Sequence, residues 1–130
     1  MNILKTIVYK ITVLQVSINN DKKVILDCNV SNNNELRILA ETQLIFHSSY
    51  CKFLESVIIK KNKDIQKYYE NTKKYSLILL ELSEKYEEQY YLTIAEKVKL
   101  FYEFSSNLLN DNSNHNYHNL LSSLHHQISV

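Results

Sequence analysis

Hydrophobic and polar positions alternate early in this chain and then change period. Residues 6–18 read TIVYKITVLQVSI, in which Ile7, Tyr9, Ile11 and Val13 alternate with Val8, Lys10 and Thr12. Such a β-branched, period-two run predicts a strand. The polar stretch Asn19-Asn20-Asp21-Lys22-Lys23 follows, and Asn and Asp tolerate the left-handed conformation that a tight connection needs. A second run, with Val24, Leu26, Cys28 and Val30 on one side, completes an expected β-hairpin over residues 1–31. An isolated hairpin is marginal in water, so it should pack on helices or on another copy. The competing reading of the same segment is an amphipathic helix over residues 2–16.

Beyond Asn32-Asn33-Asn34 the period becomes helical. Asn32 and Glu35 stand at capping-box spacing, and Leu36, Ala40, Leu44, His47, Cys51, Leu54 and Ile58 recur at steps of three or four. This stripe predicts one helix of roughly 40 Å, ending near Lys60-Lys61-Asn62-Lys63, where cations suit the negative helix end. Asp64 can cap the next helix. In it Ile65, Tyr68, Thr72, Tyr75, Leu79, Leu82 and Tyr86 fall on alternating steps of three and four, a heptad seam. Leu77, Ile78, Leu79 and Leu80 make its middle turn apolar nearly all round. The stripe then shifts phase to Tyr90, Ile94, Val98, Phe101, Ser105 and Leu108, either through a stutter or through a new helix capped by Thr93 with Glu96.

The expected architecture is therefore mainly α: a two-stranded N-terminal hairpin, then a helical bundle of three to four helices, two of them long and antiparallel. One domain spans residues 1–130, with long helices over 33–109, an Asn-rich loop over 110–116 and a short C-terminal helix over 117–128. A chain of 130 residues is long enough to bury a core without staples.

Composition changes the picture in three ways. The chain contains no glycine and no proline, so phosphate-cradling glycine loops, dinucleotide fingerprints, nucleophile elbows and EF-hands cannot be written in it. Fifteen Lys and Arg against fourteen Asp and Glu leave a formal charge of +1, so no global field drives it onto nucleic acid or an anionic membrane. The abundance of Ile, Lys, Asn and Tyr beside a single arginine, Arg37, points to an AT-rich genome: a virus, mobile element, intracellular bacterium or parasite. Cys28 and Cys51 form no pair motif and read as separate reduced thiols in a cytoplasmic protein, or in host cytoplasm if the source is viral. Lys5 and Lys10 interrupt the apolar N-terminus, which reads as folded structure without a membrane anchor.

Four groups of residues carry candidate chemistry. His115, His118, His125 and His126 cluster near the C-terminus, and His118 with His125 would share a helix face as a weak metal site. A solvated polar face explains them more simply. His47 and Cys51 stand one helical turn apart, the spacing at which an imidazole activates a thiol, but both lie on an apolar stripe. Lys60, Lys61, Lys63, Lys67, Lys73 and Lys74 share 16 residues with three tyrosines, a composition that fits phosphate contact with base stacking. A solvated helix end, with Glu70 and Lys74 paired, is the plainer reading of that segment. Glu81, Glu84, Glu87 and Glu88, with Glu96 and Glu103, form an acidic counterpart without the Glu-x-x-His pattern of di-metal bundles.

These readings converge on a non-catalytic protein without cofactor, working by protein–protein interaction or assembly. Its expected partner-binding residues are Tyr68, Tyr75, Leu79, Leu82, Tyr86 and Tyr90, on a coiled-coil-like seam that closes on the first long helix or on a second subunit of a homo-oligomer. A nucleic-acid-binding accessory protein using the lysines of residues 60–74 is the alternative. A metal-dependent or cysteine enzyme comes third.

Overall fold

A computed structural model of the chain describes residues 3–86 and 88–111, without the side chains of 88–90, 110 and 111. Four helices account for all but four of these residues: α1, Ile3–Ser31; α2, Asn34–Ile59; α3, Asn62–Tyr86; and α4, Glu88–Asp111. No strand occurs among the described residues. The expected hairpin over residues 1–31 is instead one unbroken helix of 29 residues.

The period-two pattern at the N-terminus misled because a second period lies over it. Ile7, Leu14, Asp21 and Cys28 are buried, and Ile11, Ile18 and Ile25 are half-buried between them. Together they step by four and three along the whole helix, a heptad seam interrupted in polarity only at Asp21. Isoleucine and valine cost only a few tenths of a kcal/mol each in a helix, so packing along the seam overrides local strand preference. Asp21, read as a turn residue, is turned inward, where its carboxylate accepts a 2.7 Å hydrogen bond from the ring of His47 on α2. Burying that contact requires helix at the very point where the chain was expected to reverse.

Two tight connections replace the missing glycines with left-handed Asn32 and Lys60, both at φ 57°. At the first, the amide of Asn33 donates to Cys28 O at 3.2 Å and closes α1. The side chain of Asn33 then accepts from Leu36 N at 3.2 Å and opens α2. The cap therefore lies one residue beyond the expected pair of Asn32 and Glu35. At the second, the amides of Lys60 and Lys61 return to Val57 O and Ser56 O, ending α2 where the lysine cluster predicted. Lys61, rather than Asp64, provides the carbonyl that accepts the first turn of α3, from Ile65 N at 2.9 Å.

Such short connections reverse the chain twice. α2 packs on both α1 and α3. The antiparallel sense is fixed by Asp21 with His47 across one pair and by Asn71 with Ser49, 2.6 Å apart, across the other. Ala40, His47, Cys51 and Leu54 of the expected α2 stripe are buried, but so is a second line of Leu39, Phe46, Tyr50, Phe53 and Val57. A helix covered on two sides needs both. The rings of Phe46, Tyr50 and Phe53 follow one another at 6.0 and 6.5 Å, and Phe53 meets Tyr69 of α3 at 5.3 Å.

On α3 the heptad is present but displaced. Ile65, Thr72 and Leu79 are buried as expected, whereas Tyr69, Ser76 and Ser83 take the places assigned to Tyr68, Tyr75 and Leu82. Ser76 and Ser83 were not on the expected seam, and each buried hydroxyl, with that of Thr72, is satisfied inside its own helix. Thr72 donates to Tyr68 O at 2.7 Å, Ser76 to Lys73 O at 2.6 Å and Ser83 to Leu80 O at 3.0 Å. Small side chains with local partners let the helix sit close to its neighbours, while the bulkier Tyr68, Tyr75, Leu82 and Tyr86 are left half-buried at the margin.

The chain divides into two compact units, the first ending at Glu87 and the second starting at Glu88. In the second, α4 buries Ile94, Val98, Phe101, Ser105 and Leu108, the phase-shifted stripe seen in the sequence, together with Tyr102 and Leu109. It begins at Glu88 rather than at a Thr93 cap and continues through Asn110 and Asp111, which were expected to open a loop. The rest of that loop, the helix over 117–128 and the histidines His115, His118, His125 and His126 lie outside the described residues, as do the side chains of Glu87, Glu88 and Tyr90.

Candidate functional site

The surface with most convergent chemistry lies where the N-terminal half of α3 meets α2. Lys67, Tyr68, Glu70, Asn71 and Lys74 line an open groove of about 360 Å³. The Lys52 ammonium of α2 stands 5.6 Å from the centroid of the Tyr68 ring, and that of Lys67 stands 5.4 Å from it. Lys74 lies 5.7 Å from the ring of Tyr75, its neighbour in sequence, instead of pairing with Glu70. Asn71 is held by its bond to Ser49, which sets the register between the two helices at the groove. The result is a half-buried tyrosine whose π surface already attracts two cations.

Of the six lysines singled out in the sequence, only Lys67 and Lys74 reach this groove. Lys60, Lys61 and Lys63 are exposed around the turn before α3, and Lys73 is half-buried on a different side of the helix. Lys52 was missed, although the antiparallel pairing about residues 60 and 61 brings positions 52 and 68 level with each other. Of the expected protein-binding residues, Tyr68, Tyr75, Leu82 and Tyr86 keep partial exposure. Leu79 does not: at 1% exposure it belongs to the core and cannot meet a partner.

His47 and Cys51 form a different kind of place. The imidazole is oriented by Asp21, a group supplied by another helix and not identified from sequence, with both side chains nearly inaccessible. Cys51, by contrast, donates to Glu55 Oε1 at 3.5 Å. Burial, with the Glu55 charge and hydrogen bond, pushes its thiol up from 9.0 to about 11, so the proton stays on sulfur at neutral pH. A protonated buried thiol is a poor nucleophile and a poor ligand. Asp21 and His47 read as an interhelical tie, not as two members of a catalytic triad. Among the described residues no three His, Cys, Asp or Glu side chains converge on a point where a metal could sit.

A third surface was not anticipated at all. Because α1 meets α2 along one narrow seam, its far side carries apolar residues into solvent: Tyr9 is 71% exposed, Val16 66%, Leu26 65% and Val30 87%. None of the described helices is long and apolar enough to cross a membrane. Comparison of the chain with family models, curated proteins and solved structures finds no match.

Proposed function

We propose that this protein is a non-catalytic interaction protein that offers helix surfaces to a protein partner. The observation that carries this reading is the outer face of α1. Four large apolar side chains there are at least 65% exposed along one side of a single helix, and apolar area held in water is what a partner's apolar surface would cover. The half-buried tyrosines of α3 add amphipathic contact area, with ring bodies anchored and polar ends in water. The buried free thiols Cys28 and Cys51 suit a reducing, cytoplasmic setting.

The groove with Lys52, Lys67 and Lys74 supports a second reading, contact with nucleic acid. It is the weaker one. Tyr68 already has two ammonium groups over its ring, which compete with a stacking base, and Glu70 brings a negative charge into the same groove.

Affinity capture from the source cells separates the two, comparing wild type with Val16→Asp and with a Lys67→Gln, Lys74→Gln pair. On the leading reading a protein partner is retained by the wild type, weakened at least tenfold, about 1.4 kcal/mol, by Val16→Asp, and kept by the lysine pair. Retention of RNA or DNA at physiological salt, lost in the lysine pair, transfers the function to the second reading.

A further inference from the structure

The side of α3 opposite its core carries an ordered set of charges: Glu70 and Lys74, then Leu77 and Ile78, then Glu81 and Lys85. The four charged side chains are exposed and the two apolar ones half-buried, and all six fall within one face of the helix. Among the described residues neither i,i+4 pair inside the helix, Glu70 with Lys74 or Glu81 with Lys85, closes as an ion pair. Exposed carboxylates and ammonium groups that form no ion pair among the described residues can pair with a second chain, Lys74 in exchange for its contact with the Tyr75 ring.

We propose that α3 pairs antiparallel with α3 of a second copy across this face, about a two-fold axis passing between Leu77 and Ile78. The sequence is self-complementary in that arrangement. When Leu77 stands opposite Ile78 of the other copy, Lys74 stands opposite Glu81 and Glu70 opposite Lys85, and symmetry repeats each contact. A parallel pairing would set Lys74 against Lys74 and Glu81 against Glu81, so the charges select the antiparallel sense. With only Leu77 and Ile78 at its apolar centre, the dimer is weak and salt-sensitive, with dissociation in the micromolar to high-micromolar range. The buried line of Ile65, Thr72 and Leu79 takes no part, being covered within one chain. This proposal rests on the reading that the protein works through helix surfaces, but it assigns self-pairing to a face other than that of α1.

A charge-swap experiment on the full chain tests it, with mass measured by sedimentation equilibrium up to high-micromolar concentration at low salt. The wild type should dimerise. Lys74→Glu sets like charges at both symmetric contacts, and so does Glu81→Lys; each should weaken self-association about tenfold or more. Mixed together, the two variants are complementary again and should form a heterodimer, and the double variant K74E/E81K should recover homodimerisation in one chain. Both substitutions are on exposed positions, and circular dichroism checks that helix content is kept. The proposal is overturned by a wild type monomeric throughout, by single variants that dimerise as the wild type does, or by a mixture and a double variant that fail to recover association. Val16→Asp should leave the dimer unchanged, so loss of the partner on α1 and loss of the dimer on α3 are separate results.

Discussion

α1 and α3 both pack on α2, and they do so by different means. α1 buries one residue in seven, Ile7, Leu14, Asp21 and Cys28, with isoleucines half-covered between them. α3 buries one in every three or four: Ile65, Tyr69, Thr72, Ser76, Leu79 and Ser83. The first helix is the more apolar in composition and yet the less enclosed. Enclosure does not follow from composition: the hydroxyls of α3 are bonded within their own helix and can be buried, whereas α1 leaves most of its branched residues at or beyond the edge of its seam. The apolar α1 therefore leaves large side chains in solvent, whereas the polar-looking α3 buries the longer line of residues.

The same substitution on the two helices should have opposite consequences. Leu79→Asp places an unpaired carboxylate where 1% of the side chain reaches solvent, and should abolish the cooperative thermal transition, a loss of more than about 4 kcal/mol. Val16→Asp, at 66% exposure, should shift stability by less than about 0.5 kcal/mol. If both unfold the protein, the far side of α1 is not a free surface.

Next in size is the tie that makes α1 more than a loosely docked helix. Asp21→Ala leaves the His47 ring buried without its carboxylate and should cost about 3 kcal/mol in a urea titration, while Asp21→Asn, which keeps an acceptor for the ring N–H, should cost less. Equal, small losses for both would mean that α1 is held by its apolar seam alone.

The smallest effect concerns the two turns. Both hold a left-handed residue, but asparagine tolerates that conformation and lysine does not. Lys60→Gly should therefore gain up to about 1 kcal/mol and Asn32→Gly almost nothing, after the greater freedom of the unfolded glycine chain is set against relief of strain. Calorimetric midpoints for the two variants give the comparison directly.

On α2 and α4 the pattern alone was a good guide to the buried stripe. The stripe through Ala40, His47, Cys51 and Leu54, the stop at Lys60 and the stripe through Ile94, Val98, Phe101 and Leu108 all follow from helical spacing, because water forces apolar residues to one side of any surface helix. The candidate site was half legible: the lysines of α3 stand out by composition, whereas Lys52 joins Tyr68 only through the antiparallel pairing of two helices.

What required the tertiary structure was every choice between two periods carried by the same residues. In residues 6–18 the alternation of a strand and the heptad of a helix use the same isoleucines and valines, and only the partner helix, with His47 waiting for Asp21, selects one. On α3 the tyrosine line and the serine line differ by one residue. Local spacing cannot rank them, since what decides is which line faces α2 and whether the hydroxyls find partners inside the helix. The helical period from residue 34 to residue 108, the stop near Lys60 and the overall charge pattern are local properties, and the amino-acid sequence by itself determined them. Which face is core and which is left to solvent depends on contacts between residues far apart in the chain, and the tertiary structure decided it.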